Sequence, residues 1–183
     1  MSRIIAGSAR GLKLDIFPRL NMRPTSNRVK EALFDIIQFD IKGKTFLDLF
    51  SGTGQISLEA LSRGASKVYA LDNSFESSKI IKKNINIYKR NSKCDCNIDF
   101  FYYDSFKFLK DFNSKVDILF ADAPFDMEIS KEIFEKFERV TNNIIITETL
   151  YKNIPVNGGT IFNLIKRYRY GRVSLNLYKN NKM

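Results

Sequence analysis

Histidine does not occur once in the 183 residues. Its absence removes the Ser-His-Asp and Cys-His nucleophile systems, together with every metal site that depends on imidazole. Cysteine is scarce too. Cys94 and Cys96 stand in C-x-C spacing within a polar stretch, with no second pair to complete a zinc site. No metal is expected, and two reduced thiols suit an intracellular, cytoplasmic protein. Long apolar runs are also missing. The opening MSRIIAGSARG has only the three-residue apolar stretch Ile4-Ile5-Ala6 between its arginines, unlike a signal peptide, and no window approaches the ~18 apolar residues of a membrane span. Any chemistry must run on carboxylates, backbone dipoles and a borrowed cofactor.

Basic residues are abundant: 30 Lys and Arg against 20 Asp and Glu give a formal charge of +10 and a pI near 9.6. Such a balance favours a polyanionic partner, because lysine and arginine neutralise phosphates and release counterions. A generally solvated lysine-rich surface would give the same totals. The clustering of charge with aromatics in Lys166-Arg167-Tyr168-Arg169-Tyr170-Gly171-Arg172 shifts the balance toward nucleic acid. With 44% hydrophobic content, the chain suits one domain over 1–183, with a hairpin arm over 1–25 and an α/β core over 26–183.

Alternating apolar runs and helical periodicity predict strands over 45–50, 67–72, 98–103, 116–121 and 144–147. Helices are expected over 55–63, 75–90, 105–112 and 129–140, the last with Ile129, Ile133, Phe134, Phe137 and Val140 on one face. Residues 160–170 and 172–178 read as two strands around Gly171 with no helix between them, so they must pair antiparallel. The result is a mostly parallel sheet with a hairpin at one edge. Upstream, residues 4–14 suggest a small hairpin, and a helix capped by Ser26 or Asn27 follows with Val29, Ala32, Leu33, Ile36 and Ile37 as its buried stripe.

The stretch FLDLFSGTGQISLEAL leaves a strand and opens a helix, a context that makes its glycines informative. Gly52 and Gly54 permit a tight turn and close approach of a ligand, while the helix start offers unpaired N–H groups. A dinucleotide fold would want a third glycine where Ser57 stands, so NAD binding is disfavoured. Asp48, just before the glycines, would repel a pyrophosphate and attract a cation. Asp72, ending the next strand, is placed to take the hydroxyls of a ribose. Each acid alone could be a helix cap or a solvated strand end; together they suit a sulfonium joined to an adenosine, S-adenosylmethionine. One further strand, LFADAPFDM, ends with a carboxylate, stiff backbone and a flat apolar ring, which together can hold a planar amine.

RPTSNRVKEALFDII, FLDLFSGTGQISLEALSRGASKVYALDNS, YDSFKFL and DAPF occur in the order seen in bacterial 16S ribosomal RNA guanine-N2 methyltransferases of the RsmD type. The opening RIIAGSARGLKL and closing RYGRVSLNLY extend that resemblance over nearly the whole chain. It implies a Rossmann-like S-adenosylmethionine-dependent fold with an N-terminal hairpin extension, and an expected monomer acting in ribosomal RNA processing on 16S RNA within a small-subunit particle. By the same resemblance Asp48, Phe50, Gly52, Gly54, Asp72, Asn73, Asp104 and Ser105 would bind the cofactor, with Asp104 on the adenine amine; capping the next helix is the other role open to Asp104. Asp122, Ala123, Pro124 and Phe125 would form the catalytic corner. There Asp122 and a neighbouring carbonyl accept from the guanine amine, and Phe125, which could instead pack in the core, stacks on the base.

The family has a proline where this chain has Ala123; Pro124 still biases Ala123 toward extended geometry, so activity is expected, though slower. Arg3, Arg10, Arg23 and Arg28 are candidate RNA contacts, with Glu31 expected to pair with Arg28 at i, i+3 spacing. Two other readings carry different functions: an adenine-N6 nucleic-acid methyltransferase with a similar acid-proline-aromatic site, and a silent RNA-binding assembly factor.

Overall fold

The computed structural model describes residues 2–17, 27–92, 95–124 and 126–181. Ser26, Arg23, Cys94 and Phe125 lie outside that set, as do the cap, RNA-contact and stacking roles expected of them. A two-stranded ribbon opens the chain, β1 (Ser2–Arg3) antiparallel to β2 (Lys13–Leu14). The hairpin is therefore shorter in strand and longer in turn than its sequence implies. Gly7 and Gly11 adopt positive φ between the strands.

After α1 (Asn27–Ile36), the chain alternates β3 (Thr45–Asp48), α2 (Gln55–Ser62), β4 (Lys67–Asp72), α3 (Phe75–Asn91), β5 (Ile98–Tyr102), α4 (Ser105–Asp111), β6 (Val116–Ala121) and α5 (Lys131–Val140). Three strands close it: β7 (Thr141–Leu150), β8 (Phe162–Tyr170) and β9 (Val173–Asn180). Their order across the sheet is β5-β4-β3-β6-β7-β9-β8, parallel from β5 to β7 and antiparallel at β9 and β8.

Side chains alternate along each strand and feed two apolar layers. Phe46, Val68, Ile118, Phe120 and Ile146 face one layer; Leu47, Leu71, Leu119, Ala121 and Ile145 face the other. Two elements differ from expectation for local reasons. Helix α5 begins at Lys131 because the Ser130 hydroxyl accepts from the Ile133 N–H at 3.4 Å, which leaves Ile129 outside it. Strand β7 is longer at both ends: Thr141, the C-cap of α5, enters it directly, and pairing with β9 carries it on to Leu150. Arg28 and Glu31 are both exposed and do not pair with each other.

Among the described residues no helix is long and apolar enough to cross a membrane. None of their His, Cys, Asp and Glu side chains group in threes or more where an ion could be held.

The arm is fastened to the sheet layer by one buried carboxylate. Glu59 of α2 accepts from the backbone N–H of Ile5 at 2.7 Å and of Ala6 at 3.0 Å, and from Arg63 Nε at 2.8 Å. Lys30 Nζ stands 4.0 Å from it and donates to the Arg3 carbonyl at 2.7 Å, with both side chains shut from solvent. Gly7 is held so close to α2 that a Cβ there would lie 1.8 Å from the Ser62 carbonyl oxygen. Removing one partner of a buried charged network leaves the other uncompensated, at a cost of about 3–5 kcal/mol. Glu59→Ala should lower the unfolding free energy by that amount in urea titration. A loss under about 1 kcal/mol would mean that this clamp contributes little.

Candidate active site

The strands β3, β4 and β6 are parallel and in register, so their carboxyl ends and the loops leaving them gather on one edge. A cleft of about 490 Å³ opens there. From the β3 end it takes Asp48, Phe50 and Gly52; from the β4 end Asp72 and Asn73; from the β6 end Asp122, Ala123 and Pro124. Gly54, Asp104 and Ser105 are not part of its wall. Gly54 instead starts α2 at φ 80°, where a Cβ would meet Ile81 Cγ1 at 2.6 Å, so its glycine is demanded by packing against α3. Asp104 caps α4, its Oδ1 accepting from the N–H of Phe106 at 3.1 Å and Lys107 at 2.9 Å. Ser105 donates its hydroxyl to the Leu49 carbonyl.

Asp72 shapes the turn as well as the cleft. Its Oδ2 accepts from the Gly52 N–H and its Oδ1 from the Ser74 N–H, both at 2.8 Å. These bonds hold the loop after β3 against the end of β4, and each carboxylate oxygen retains a second lone pair. At Gly52 the φ of 52° favours glycine, and the space where a Cβ would stand is open.

Asp48 is the electrostatic centre of the cleft. It is 1% exposed, and its Oδ2 accepts from the Ser57 hydroxyl at 2.6 Å. Its Oδ1 is buried and meets no hydrogen-bond partner among the described residues. Burial pushes its pKa from 3.8 up to about 7; the Ser57 hydroxyl opposes that rise, the charges of Asp122 and Asp72 add to it, and the Phe50 backbone N–H pulls back least. A buried carboxylate with a spare acceptor oxygen suits a ligand that brings a cation or an N–H donor. S-Adenosylmethionine brings both, so these residues fit it.

Lining residues outside the set expected from the sequence include Ile16, Lys30, Glu148, Tyr170 and Arg172. Tyr170 and Arg172 belong to the basic-aromatic run at 166–172, which the sequence marks only as a charge cluster. Lys30 is 1% exposed, and burial lowers its pKa. Glu148, on β7, is 5% exposed and also borders a second cavity of about 440 Å³ that shares Ala123 and Pro124 with the first. Arg3, Arg10 and Arg28 are exposed on the arm and α1. Arg167 and Arg169 of β8 lie over the Tyr151 ring at 4.4 and 4.1 Å, so the closing hairpin holds part of its charge on an aromatic face.

The sequence matches the family described as conserved hypothetical protein 95 over residues 2–179. A ribosomal RNA small subunit methyltransferase D of Haemophilus influenzae is 34% identical over 184 residues, covering 97% of this chain and 93% of its own. Among solved structures, a methyltransferase candidate of Escherichia coli superposes with a TM-score of 0.84 at 26% identity, covering 99% of this chain and 98% of its own. A methylase candidate of Haemophilus influenzae gives 0.77 at 32% identity, with 97% of each chain covered. The architecture is thus the Rossmann-like methyltransferase fold with antiparallel closing strands.

The raised pKa of Asp48 makes stability fall with pH. Below pH 3.8 folded and unfolded chains both hold the proton; above it the unfolded chain releases first, and the loss is complete near pH 7. The shift from 3.8 to about 7 corresponds to about 4 kcal/mol. Asp48→Asn keeps an acceptor for Ser57 and escapes that loss. Without cofactor, the variant should melt above the wild type at about pH 8 by ~5 °C or more, with the gap closing toward pH 4. A gap independent of pH would contradict a protonated Asp48 in the native state.

Proposed function

The chain belongs to the family of the ribosomal RNA small subunit methyltransferase D proteins, and on that footing we propose that it methylates the exocyclic N2 amine of a guanine in 16S ribosomal RNA, with S-adenosylmethionine as donor. The observation that carries this reading is the meeting of Asp48, Gly52, Asp72 and Asp122 in one cleft at the ends of three parallel strands.

When bound, the cofactor supplies an electrophilic methyl group on a sulfonium. The residues around it have distinct tasks. Asp48 offers a buried negative charge to the cationic end, and Asp72 offers its remaining lone pairs to the ribose hydroxyls. The guanine amine is a poor nucleophile because its lone pair is delocalised into the ring. Asp122 and the carbonyl of Ala123 accept from its two N–H groups, which favours tetrahedral nitrogen and aims the lone pair at the methyl carbon. Orientation and fixed charge then do most of what an in-line transfer requires. Asp122 would take the surplus proton that the amine gives up on methylation; the sulfonium, when bound, would supply the methyl group and keep the electron pair of the bond it gives up. Ala123 is 5% exposed at this corner, and the Met127 N–H donates to the Pro124 carbonyl at 2.8 Å, a bond that stiffens the turn without the family's first proline.

The charge of +10 and the exposed Arg3, Arg10 and Arg28 support an RNA partner, with these arginines positioning phosphates. We take the substrate to be a small-subunit particle, the protein to act as a monomer, and the cytoplasm, where such particles are built, to be its place of action.

The test incubates the protein with labelled cofactor and small-subunit particles lacking the modification, then maps the methylated nucleotide. The expected product is an N2-methylguanine in 16S RNA. Asp122→Ala should bind cofactor within about threefold of wild type and transfer ~10²–10⁴-fold more slowly. Normal turnover by that variant, or methylation of adenine instead, would overturn the assignment.

A further inference from the structure

We propose that Glu148 selects guanine as the target base by accepting its N1–H, beside the amine held by Asp122. The inference rests on the reading of the cleft as a guanine-N2 site and adds to it the residue that sets base choice.

Position is the first ground. In the parallel β6–β7 pair, Ala121 stands opposite Thr147. Asp122 and Glu148 are each one residue further on, so two carboxylates leave neighbouring strands side by side, and alternation along a strand turns both toward the same face. Both line the same cleft. Strands lie only ~4.8 Å apart, a separation that one purine edge can span with its N1 and N2 groups.

Surroundings are the second. Glu148 is 5% exposed; on its face of the sheet Ile146 precedes it, and Leu175 is its partner on β9. Both neighbours are buried and apolar. A carboxylate at the wall of a cavity, with apolar neighbours on its own face of the sheet, acts strongly on a donor that enters the cavity.

Chemistry is the third. Guanine alone among the common bases presents two adjacent donors, N1–H and the N2 amine, and a pair of carboxylates is the acceptor set that complements them. Adenine turns a lone pair at N1 toward the same place, where a carboxylate repels it. A site built to receive a hydrogen bond rejects an analogue lacking the donor far more strongly than one built on shape alone.

The test uses 2-aminopurine, which keeps the 2-amine but carries an acceptor at N1. Small-subunit particles are reconstituted with guanine or 2-aminopurine at the mapped nucleotide, and kcat/KM for transfer to N2 is measured on each. Wild type should prefer guanine by ~100-fold or more. Glu148→Gln, whose amide can donate to the N1 acceptor, should lose ~100-fold on guanine while the preference collapses to within about tenfold. Glu148→Leu should lose activity on guanine without recovering 2-aminopurine. Cofactor affinity and melting temperature are read alongside. An equal loss on both bases, with the preference intact, would mean a structural role and overturn the inference. If wild type methylates both bases equally well, the inference falls whatever the variants do. Wild type that modifies no guanine N2 at all would instead overturn the parent reading.

Discussion

Strand β3 is flanked by β4 on one side and β6 on the other, and both run parallel to it. Parallel strands cannot be joined by a tight turn, so each must leave the sheet at its carboxyl end and return through a helix. That requirement places the loops after β3, β4 and β6 next to one another, whatever their sequences. The acids Asp48, Asp72 and Asp122 need only stand near those strand ends to meet. Asp72 then ties two loops together through the Gly52 and Ser74 N–H groups, so the cleft is braced by one of the side chains that line it.

Charge is distributed on two scales. The molecule carries a net +10, while the cleft concentrates Asp48, Asp72, Asp122 and Glu148. The outer field suits a phosphate backbone, which feels the whole surface at long range. The inner one suits donors and cations that have shed water. A basic exterior and an acid-lined cleft therefore suit different parts of one nucleic-acid ligand. Asp48 and Glu148 are buried and Asp72 and Asp122 half-buried, and burial raises the pKa of Asp48 to about 7.

Periodicity and the glycine turn were enough to place most strands and helices, because in this chain local preference and global pattern agree. What escaped has physical causes. Glu148 stands beyond the apolar run that marked β7, and only the pairing of that strand with β9 carries the strand on to Leu150. Lys30 lies next to the stripe of Val29, Ala32 and Leu33, but lysine is ordinarily exposed. Its burial depends on the Arg3 carbonyl and on Glu59, contacts between segments far apart in the chain. Asp104 was legible as a strand-end acid with two possible roles; its Oδ1 serves the N-terminus of α4. Gly54 looked like part of a ligand loop, and its close neighbour is Ile81 of a helix that sequence spacing could not put beside it.

The order β7-β9-β8 has a consequence for biosynthesis. β9 is made last of the three, yet it fills the position between the other two. Until the ribosome has released the chain through Asn180, β7 carries an open edge with Ile144, Ile145 and Ile146 along it, a template on which unrelated strands can add. A nascent chain is thus open to misassembly at this apolar edge, and retention by a chaperone would matter most in the interval between the synthesis of β7 and that of β9.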